Sequence, residues 1–184
     1  MTYYGGKELA ESFRKVRKNT IQVAEDIPED KYGFKPSPQS RSIAETLAHI
    51  ATATTFPTML HGERVPIEKI NFAEYMKTVG AQEASLQTKA QIVARLKESG
   101  EKFAAMLESL KDEAFLAEVI TFQPGAEPPS RTRFDMLLAA KEHEMHHRAQ
   151  LMMMERMIGI VPHLTREQQA RMARFQAQQA QTTT

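Results

Sequence analysis

The sequence predicts an all-α protein: a four-helix bundle with long crossover linkers and a helical extension at its C-terminus. Apolar residues recur every three or four positions in four long segments of the 184-residue chain, which is the spacing of an amphipathic helix. Most of the nine prolines lie between those segments, and no convincing strand is evident. We expect one domain over residues 1–184, with a bundle core at about 7–160 and an extension at about 163–184.

The first two predicted helices are separated by a proline-containing loop. Residues 7–27 carry apolar side chains in a helical stripe, and a proline follows them. The loop over 30–40 holds two further prolines and should be extended. The second helix is predicted to begin at Ser42, because Glu45 stands three residues later in the capping-box arrangement. We expect it to reach Leu60, with a bend at its internal proline.

The remaining segments predict two more long helices and a long connection. A short helix is expected over 72–79 and the third long helix over 85–110. The connection over 111–131 contains a strand-like run at 119–122, which as an isolated strand would have nothing to pair with. The last long helix is expected over 132–158, followed by a Gln- and Ala-rich tail, exposed or docked. Each long linker could run the length of the bundle, so neighbouring helices need not alternate in direction.

Composition restricts the classes of function. The net charge of +1 gives no electrostatic footprint for nucleic acid. The absence of cysteine excludes disulfides, cysteine-type zinc sites and a protein thiol nucleophile, and it fits a reducing compartment. No signal-like segment or apolar run of membrane-spanning length is visible. We therefore expect a soluble cytoplasmic protein that binds neither nucleic acid nor membrane.

Two histidines in the last predicted helix are spaced to share a metal ion. His143 and His147 stand four residues apart, so their side chains lie on one helical face. The same face is small and apolar on the preceding turns, as at Met136 and Ala140, and should point into the bundle. Buried imidazoles need partners, and a metal ion is one such partner. The alternative is a pair of core histidines that are simply hydrogen-bonded.

A third ligand is needed, and His49 is the best candidate. It lies on the second predicted helix, beside that helix's apolar stripe, on a mixed face suited to lining a cavity. The alternative from periodicity is an exposed histidine in a polar stripe. His61 and His163 are expected in loops, with little claim on a metal.

The last helix also matches the H-E-x-x-H pattern, in which Glu144 would be the general base of a zinc protease. The extended form of that motif fails, because Gln150 and Met153 occupy its glycine and third-histidine positions. No strand is available to bind a peptide by β-addition. A metal-dependent hydrolase or protease is therefore the weakest of the functions we consider.

Two segments together resemble the DinB-like superfamily, the damage-inducible family of metal-binding helical bundles. They are the loop-to-helix segment over 32–49 and the H-E-M-H-H-R-A-Q segment over 143–150. The resemblance covers roughly residues 7–160 and implies a DinB-like four-helix bundle. At position 149 this chain has alanine, where the family commonly has glycine. The difference affects helix packing rather than metal ligation. The resemblance implies a divalent metal, often zinc or nickel, bound by three residues: His49, His143 and His147.

Three protein nitrogens with an open coordination position are typical of a catalytic site. Characterised relatives include transferases and isomerases that use low-molecular-weight thiols, which implies a metal-dependent thiol S-transferase acting on a small-molecule substrate. Because the chain has no cysteine, the thiolate would come from a cosubstrate. A non-catalytic metal-binding or small-molecule-binding stress-response protein is the competing hypothesis. Helical-wheel positions predict contacts to ligands or substrate from Glu45, His146 and Gln150.

A heptad seam on the last helix predicts a homodimer. Leu138, Met145 and Met152 recur every seven residues, with Ala149 between them, on the face opposite the histidines. Packing of this face against the first helix or the C-terminal tail is the alternative. The pattern alone does not separate the two.

Overall fold

The structure is a computed structural model, and it describes residues 4–182. The outermost positions of the predicted domain, 1–3 and 183–184, lie outside the described residues. The described part is all-α apart from two short strands, which confirms the predicted fold class. Its long helices are α1 (Gly6–Asp26), α2 (Ile43–Thr52), α3 (Phe72–Ser85), α4 (Lys89–Ser109), α5 (Arg133–Met157) and α6 (His163–Thr182).

The second helix is shorter than predicted. Its start is confirmed, since the Ser42 hydroxyl accepts from the Glu45 amide and the Glu45 carboxylate accepts from the Ser42 amide. Helix α2 ends at Thr52, and the chain continues through a helical turn, Thr55–Pro57, into a π-helical segment, Thr58–Gly62. A proline cannot donate to the helical ladder, so the regular winding does not continue through it.

The predicted start of the third long helix is wrong. Ser85 ends α3 rather than beginning α4, and the break falls over 86–88. Thr88 is the N-cap of α4, because its hydroxyl accepts from the Gln91 amide. The short helix expected over 72–79 is consequently a 14-residue helix. This longer α3 contributes a residue to the candidate site.

The strand-like run before the last helix has a partner after all. Strand β1 (Val119–Thr121) pairs antiparallel with β2 (Ser130–Thr132). The partner escaped prediction because its sequence, S-R-T, has no apolar alternation. Thr132 also caps α5 by accepting from the Asp135 amide, which confirms the predicted start of that helix.

The bundle core is formed by α1, α2, α4 and α5, and a polar layer divides it into two apolar clusters. One cluster contains Phe13 and Phe103, whose rings meet edge to face at 4.8 Å. The other contains Leu151 and the C-terminal part of α1. Arg17 and Glu144 lie between the clusters along α1 and α5, and both are buried. His143 and His147, the predicted metal ligands on α5, lie within one helical turn of Glu144 and therefore at the same level of the bundle.

The C-terminal extension is the helix α6, and most of it is exposed, as predicted. Its first turn is attached to the bundle, where Arg166 pairs with Asp26 of α1 at 2.6 Å. No helix within residues 4–182 has both the length and the apolar character needed to cross a membrane.

Candidate metal centre

The three predicted ligands lie together where α2 faces α5. Nε2 of His143 is 3.1 Å from Nε2 of His49 and 3.1 Å from Nε2 of His147. One ligand atom from each ring can be chosen so that all three lie within 4.8 Å of one another. Zinc–nitrogen bonds of about 2.0–2.1 Å place the nitrogens of a tetrahedral site about 3.3 Å apart. The two 3.1 Å spacings are close to that value.

A carboxylate on α3 holds His49 in place. Oε1 of Glu83 lies 2.9 Å from Nδ1 of His49 and accepts from the Thr52 hydroxyl at 3.1 Å. Such a partner fixes the ring orientation of a metal-binding histidine. Sequence reasoning missed Glu83, because it lies beyond the end predicted for its helix and no spacing links it to His49.

An amide on α5 does the same for His147. Oε1 of Gln150 is 2.8 Å from Nδ1 of His147, which confirms the predicted contact between Gln150 and a candidate ligand. His146 reaches the centre through Gln150, whose Nε2 is 3.1 Å from Nε2 of His146. The predicted contact from Glu45 to a candidate ligand is wrong, because its carboxylate caps α2 and pairs with Lys35 at 3.0 Å.

These partners decide where the ring hydrogens lie. An ionised Glu83 only accepts, so Nδ1 of His49 donates to it, and the Gln150 oxygen makes Nδ1 of His147 a donor too. In the neutral rings, both Nε2 atoms then carry lone pairs, and both face Nε2 of His143. That nitrogen has at most one hydrogen to offer. A cation satisfies all three nitrogens at once, so the donor set fits a divalent metal.

The environment of the centre favours neutral imidazoles. Burial, together with repulsion from His147 and His49, lowers the pKa of His143 to about 4. Burial also lowers the pKa of His147, although its hydrogen bond with Gln150 acts in the opposite direction. Neutral imidazole is the form that binds metal, so both rings are prepared for ligation at neutral pH.

The glutamate of the H-E-x-x-H pattern lies away from the centre. Glu144 is 2% exposed, and its two oxygens accept from Nε of Arg17 at 2.9 and 3.0 Å. Arg17 also donates to the Leu96 carbonyl and the Ser99 hydroxyl. Gly100 makes room for it, since a Cβ there would lie 2.6 Å from Cγ of Arg17. A carboxylate engaged in this buried pair is not placed to act as the general base of a protease.

Two cavities border the centre. One, of about 360 Å³, is lined by His49 and His143. The other, of about 610 Å³, is lined by His147 and Gln150. Arg41, which the sequence did not single out, lines both. The apolar wall of the first cavity includes Phe56, Tyr75, Met76, Val79 and Met136.

The sequence predicted loop positions for His61 and His163, and both predictions are wrong. His61 is fully buried in the π-helical segment, and its Nδ1 lies 3.3 Å from a nitrogen of Arg133. Burial lowers the pKa of His61 to about 4. It lines the first cavity but is not part of the three-histidine group. His163 is buried at the first residue of α6, away from the centre.

The fold and the histidine group together define a helical bundle that could hold a metal ion. The family is shown by sequence: the profile of the DinB superfamily matches residues 12–151, and the chain belongs to that superfamily. Members of the superfamily are metal-binding in general, in keeping with the group formed by His49, His143 and His147.

Named relatives agree with this assignment. The chain is 28% identical to the uncharacterized protein YjoA of Bacillus subtilis strain 168, over 83% of this chain and 90% of that protein. The crystal structure of YjoA, described as a DinB-like protein, matches with a TM-score of 0.61 at 26% identity, covering 83% of this chain and 92% of that one. An uncharacterized protein from Clostridium difficile 630 shares the fold, with a TM-score of 0.63 at 14% identity over 85% and 98% of the two chains.

Proposed function

We propose that this protein is a metal-dependent transferase that uses a low-molecular-weight thiol as cosubstrate. His49, His143 and His147 are the ligands of a divalent metal, zinc or nickel. The observation that carries the proposal is the convergence of three imidazole nitrogens beside a cavity, with ring hydrogens set by Glu83 and Gln150.

A divalent metal bound by three protein nitrogens supplies Lewis acidity and an open position for a further ligand, which lowers the pKa of a bound thiol or water. The chain's own contribution is to hold the rings. Glu83 and Gln150 fix two imidazoles before any ligand arrives, which limits the rearrangement that binding requires.

The sulfur nucleophile belongs to the cosubstrate, because the chain contains no cysteine. In the transfer, the thiol gives up its proton to water and the sulfur forms a bond to an electrophilic carbon of the second substrate. The leaving group departs with the electron pair of the bond that breaks. The walls of the 360 Å³ cavity exclude water from the apolar part of that substrate. We place this chemistry in the cytoplasm, where small thiols are kept reduced.

The test is an activity screen with purified, metal-loaded protein. A panel of small thiols is combined with a panel of electrophiles, and the thiol–electrophile conjugates are quantified by mass spectrometry. We expect at least one pair to give product above the level of His49→Ala protein treated with the same metal. If no pair does so while wild-type protein still holds metal, the competing function, a non-catalytic metal-binding or small-molecule-binding protein, replaces the transferase.

We also propose that the protein is a homodimer through the outer face of α5. Met145 is 40% exposed at the middle of the seam, and Ala149 is exposed, whereas Leu138 and Met152 pack partly on the chain's own core. Light scattering should give a dimeric mass for wild type and a monomeric mass for Met145→Glu. Met172→Glu on α6 is the matched control and should stay dimeric. A monomeric wild type, or a dimeric Met145→Glu, contradicts the proposal.

A further inference from the structure

We propose that Arg41 is the anion-recognition residue of the metal centre, and that the small-molecule ligand carries a carboxylate in addition to its metal-binding thiol. This inference rests on the proposed function, because it names the chemical class of the thiol that the centre takes. It comes from the position of Arg41, the absence of a partner for its charge among the described residues, and the character of the cavity beside it.

Arg41 stands at the junction of the cavities that surround the centre. It lines the cavity of His49 and His143, the cavity of His147, and a third cavity between α2 and α3. Its side chain is exposed, yet its positive charge contributes to the lowered pKa values of His143 and His147. A ligand that approaches the histidines through either of the first two cavities meets a wall to which Arg41 belongs.

The charge of Arg41 is available to a ligand. Within residues 4–182, no group forms a hydrogen bond or ion pair with its side chain. Arg131 lines the first cavity as well, but its Nε is 2.5 Å from a carboxylate oxygen of Asp135. Glu83, the carboxylate in that cavity wall, is already engaged by His49 and Thr52. Arg41 therefore leaves an unpaired positive charge on the walls of the two cavities that border the centre.

The backbone of Arg41 is held in place, which distinguishes it from an arginine on a loose loop. It directly precedes Ser42, the N-cap of α2, and the next amide, that of Ile43, donates to the Phe34 carbonyl at 3.1 Å. A guanidinium presents paired donors that match a carboxylate. An arginine with a held backbone, on the walls of the cavities that border three metal-binding nitrogens, favours a ligand with two polar ends, one for the metal and one for Arg41.

The experiment compares two thiols of similar size on cobalt-loaded protein. One is 3-mercaptopropionate, which carries a carboxylate, and the other is 2-mercaptoethanol, which is neutral. Binding is followed by the near-ultraviolet charge-transfer band of a cobalt-bound thiolate. The readout is the dissociation constant of each thiol for wild type, Arg41→Gln and Arg131→Gln. Comparing one thiol across variants cancels the difference in intrinsic acidity between the two thiols.

We expect Arg41→Gln to weaken 3-mercaptopropionate about tenfold, the worth of one charge-assisted contact, and to leave 2-mercaptoethanol within about twofold. Arg131→Gln should change neither, because its charge is already paired. The effect of Arg41→Gln should shrink in high salt. Arg41 makes no hydrogen bond within the described residues, so its variant should fold normally, which circular dichroism checks.

The possible results distinguish a wrong role for Arg41 from a wrong function of the metal centre. Equal weakening of both thiols, or no change for 3-mercaptopropionate in Arg41→Gln, overturns the role of Arg41 while leaving a thiol-binding centre. A wild-type protein that holds cobalt but gives no thiolate band with either compound overturns the thiol function itself, and this inference with it.

Discussion

Helix α5 presents two polar sites on different faces, and they are built in opposite ways. On one face, His143 and His147 meet His49 beside two cavities, and three ring nitrogens compete for too few hydrogens. On the other face, Glu144 is buried, and both of its carboxylate oxygens accept hydrogen bonds from Arg17 in an ion pair. Adjacent residues in the sequence thus belong to different parts of the molecule.

The difference separates stability from function. A buried pair with its hydrogen bonds satisfied has no capacity left for a ligand, and its removal exposes a desolvated charge. The histidine group, in which His147 is buried and the other two rings are partly buried, holds lone pairs without a donor and is prepared for a cation. We therefore expect substitutions on the two faces to affect different measurements.

The largest effect on stability should come from Glu144→Ala. It leaves the Arg17 charge buried without a partner, which typically costs about 3–5 kcal/mol of unfolding free energy. Urea denaturation of metal-free protein measures the loss. The metal bound per folded chain should stay unchanged, because Glu144 faces away from the centre.

A double variant, Arg17→Met with Glu144→Leu, is the control for that substitution. It removes both charges and should recover most of the stability, since apolar replacements of buried pairs are often neutral or stabilising. A Glu144→Ala protein that is fully stable but unable to bind metal would reverse the assignment of the two faces.

Glu155 sharpens the comparison, because it is buried on the same helix and forms no ion pair in the part of the chain that the structure describes. Its two oxygens have no hydrogen-bond partner within residues 4–182. Burial, with repulsion from Asp26, raises its pKa from 4.5 to about 7, while Arg166 and Arg156 act in the opposite direction. The folded protein therefore holds a proton that the unfolded chain releases between pH 4.5 and 7.

The Glu155 contribution is fully present below pH 4.5 and is lost as pH rises through about 7. Glu155→Gln cannot ionise, so its stability relative to wild type should rise by about 2–3 kcal/mol from pH 4.5 to 8. Urea denaturation at a series of pH values measures this difference. A constant difference across that range would mean that Glu155 does not hold its proton in the folded state.

The smallest effect is expected at Glu83, which positions a ligand without binding the metal. Glu83→Gln should weaken metal affinity by about 10–100-fold, as for other partners of metal-binding histidines, with little change in the fold. Competition with a chelator measures the affinity. Glu45→Gln is the matched control, since Glu45 is exposed and its carboxylate is engaged by the α2 cap and Lys35 rather than by a candidate ligand, and it should keep wild-type affinity.

Sequence reasoning was most successful where a single helix carries the information. The spacing of His143 and His147, the Ser42 cap and the contact from Gln150 are all local, and each is present in the structure. Arg41 and Glu83 escaped prediction because they reach the centre through folding, with no periodic signal in the chain.

The errors followed the same rule. Glu45 shares a helical face with His49, but local competition from its own N-cap binds its carboxylate first. Pairing of the two short strands depends on a loop whose sequence carries no alternation, so it could not be read from either strand alone. The grouping of His49 with the last helix came from family resemblance, since no local pattern joins them.

The most direct test of the central claim is the metal content of wild type and His147→Ala, each purified without added metal and then reloaded with zinc or nickel. Elemental analysis should find close to one ion per chain in wild type and far less in the variant, with both proteins equally helical. If the reloaded wild type carries no more metal than His147→Ala, the three histidines do not form a metal centre.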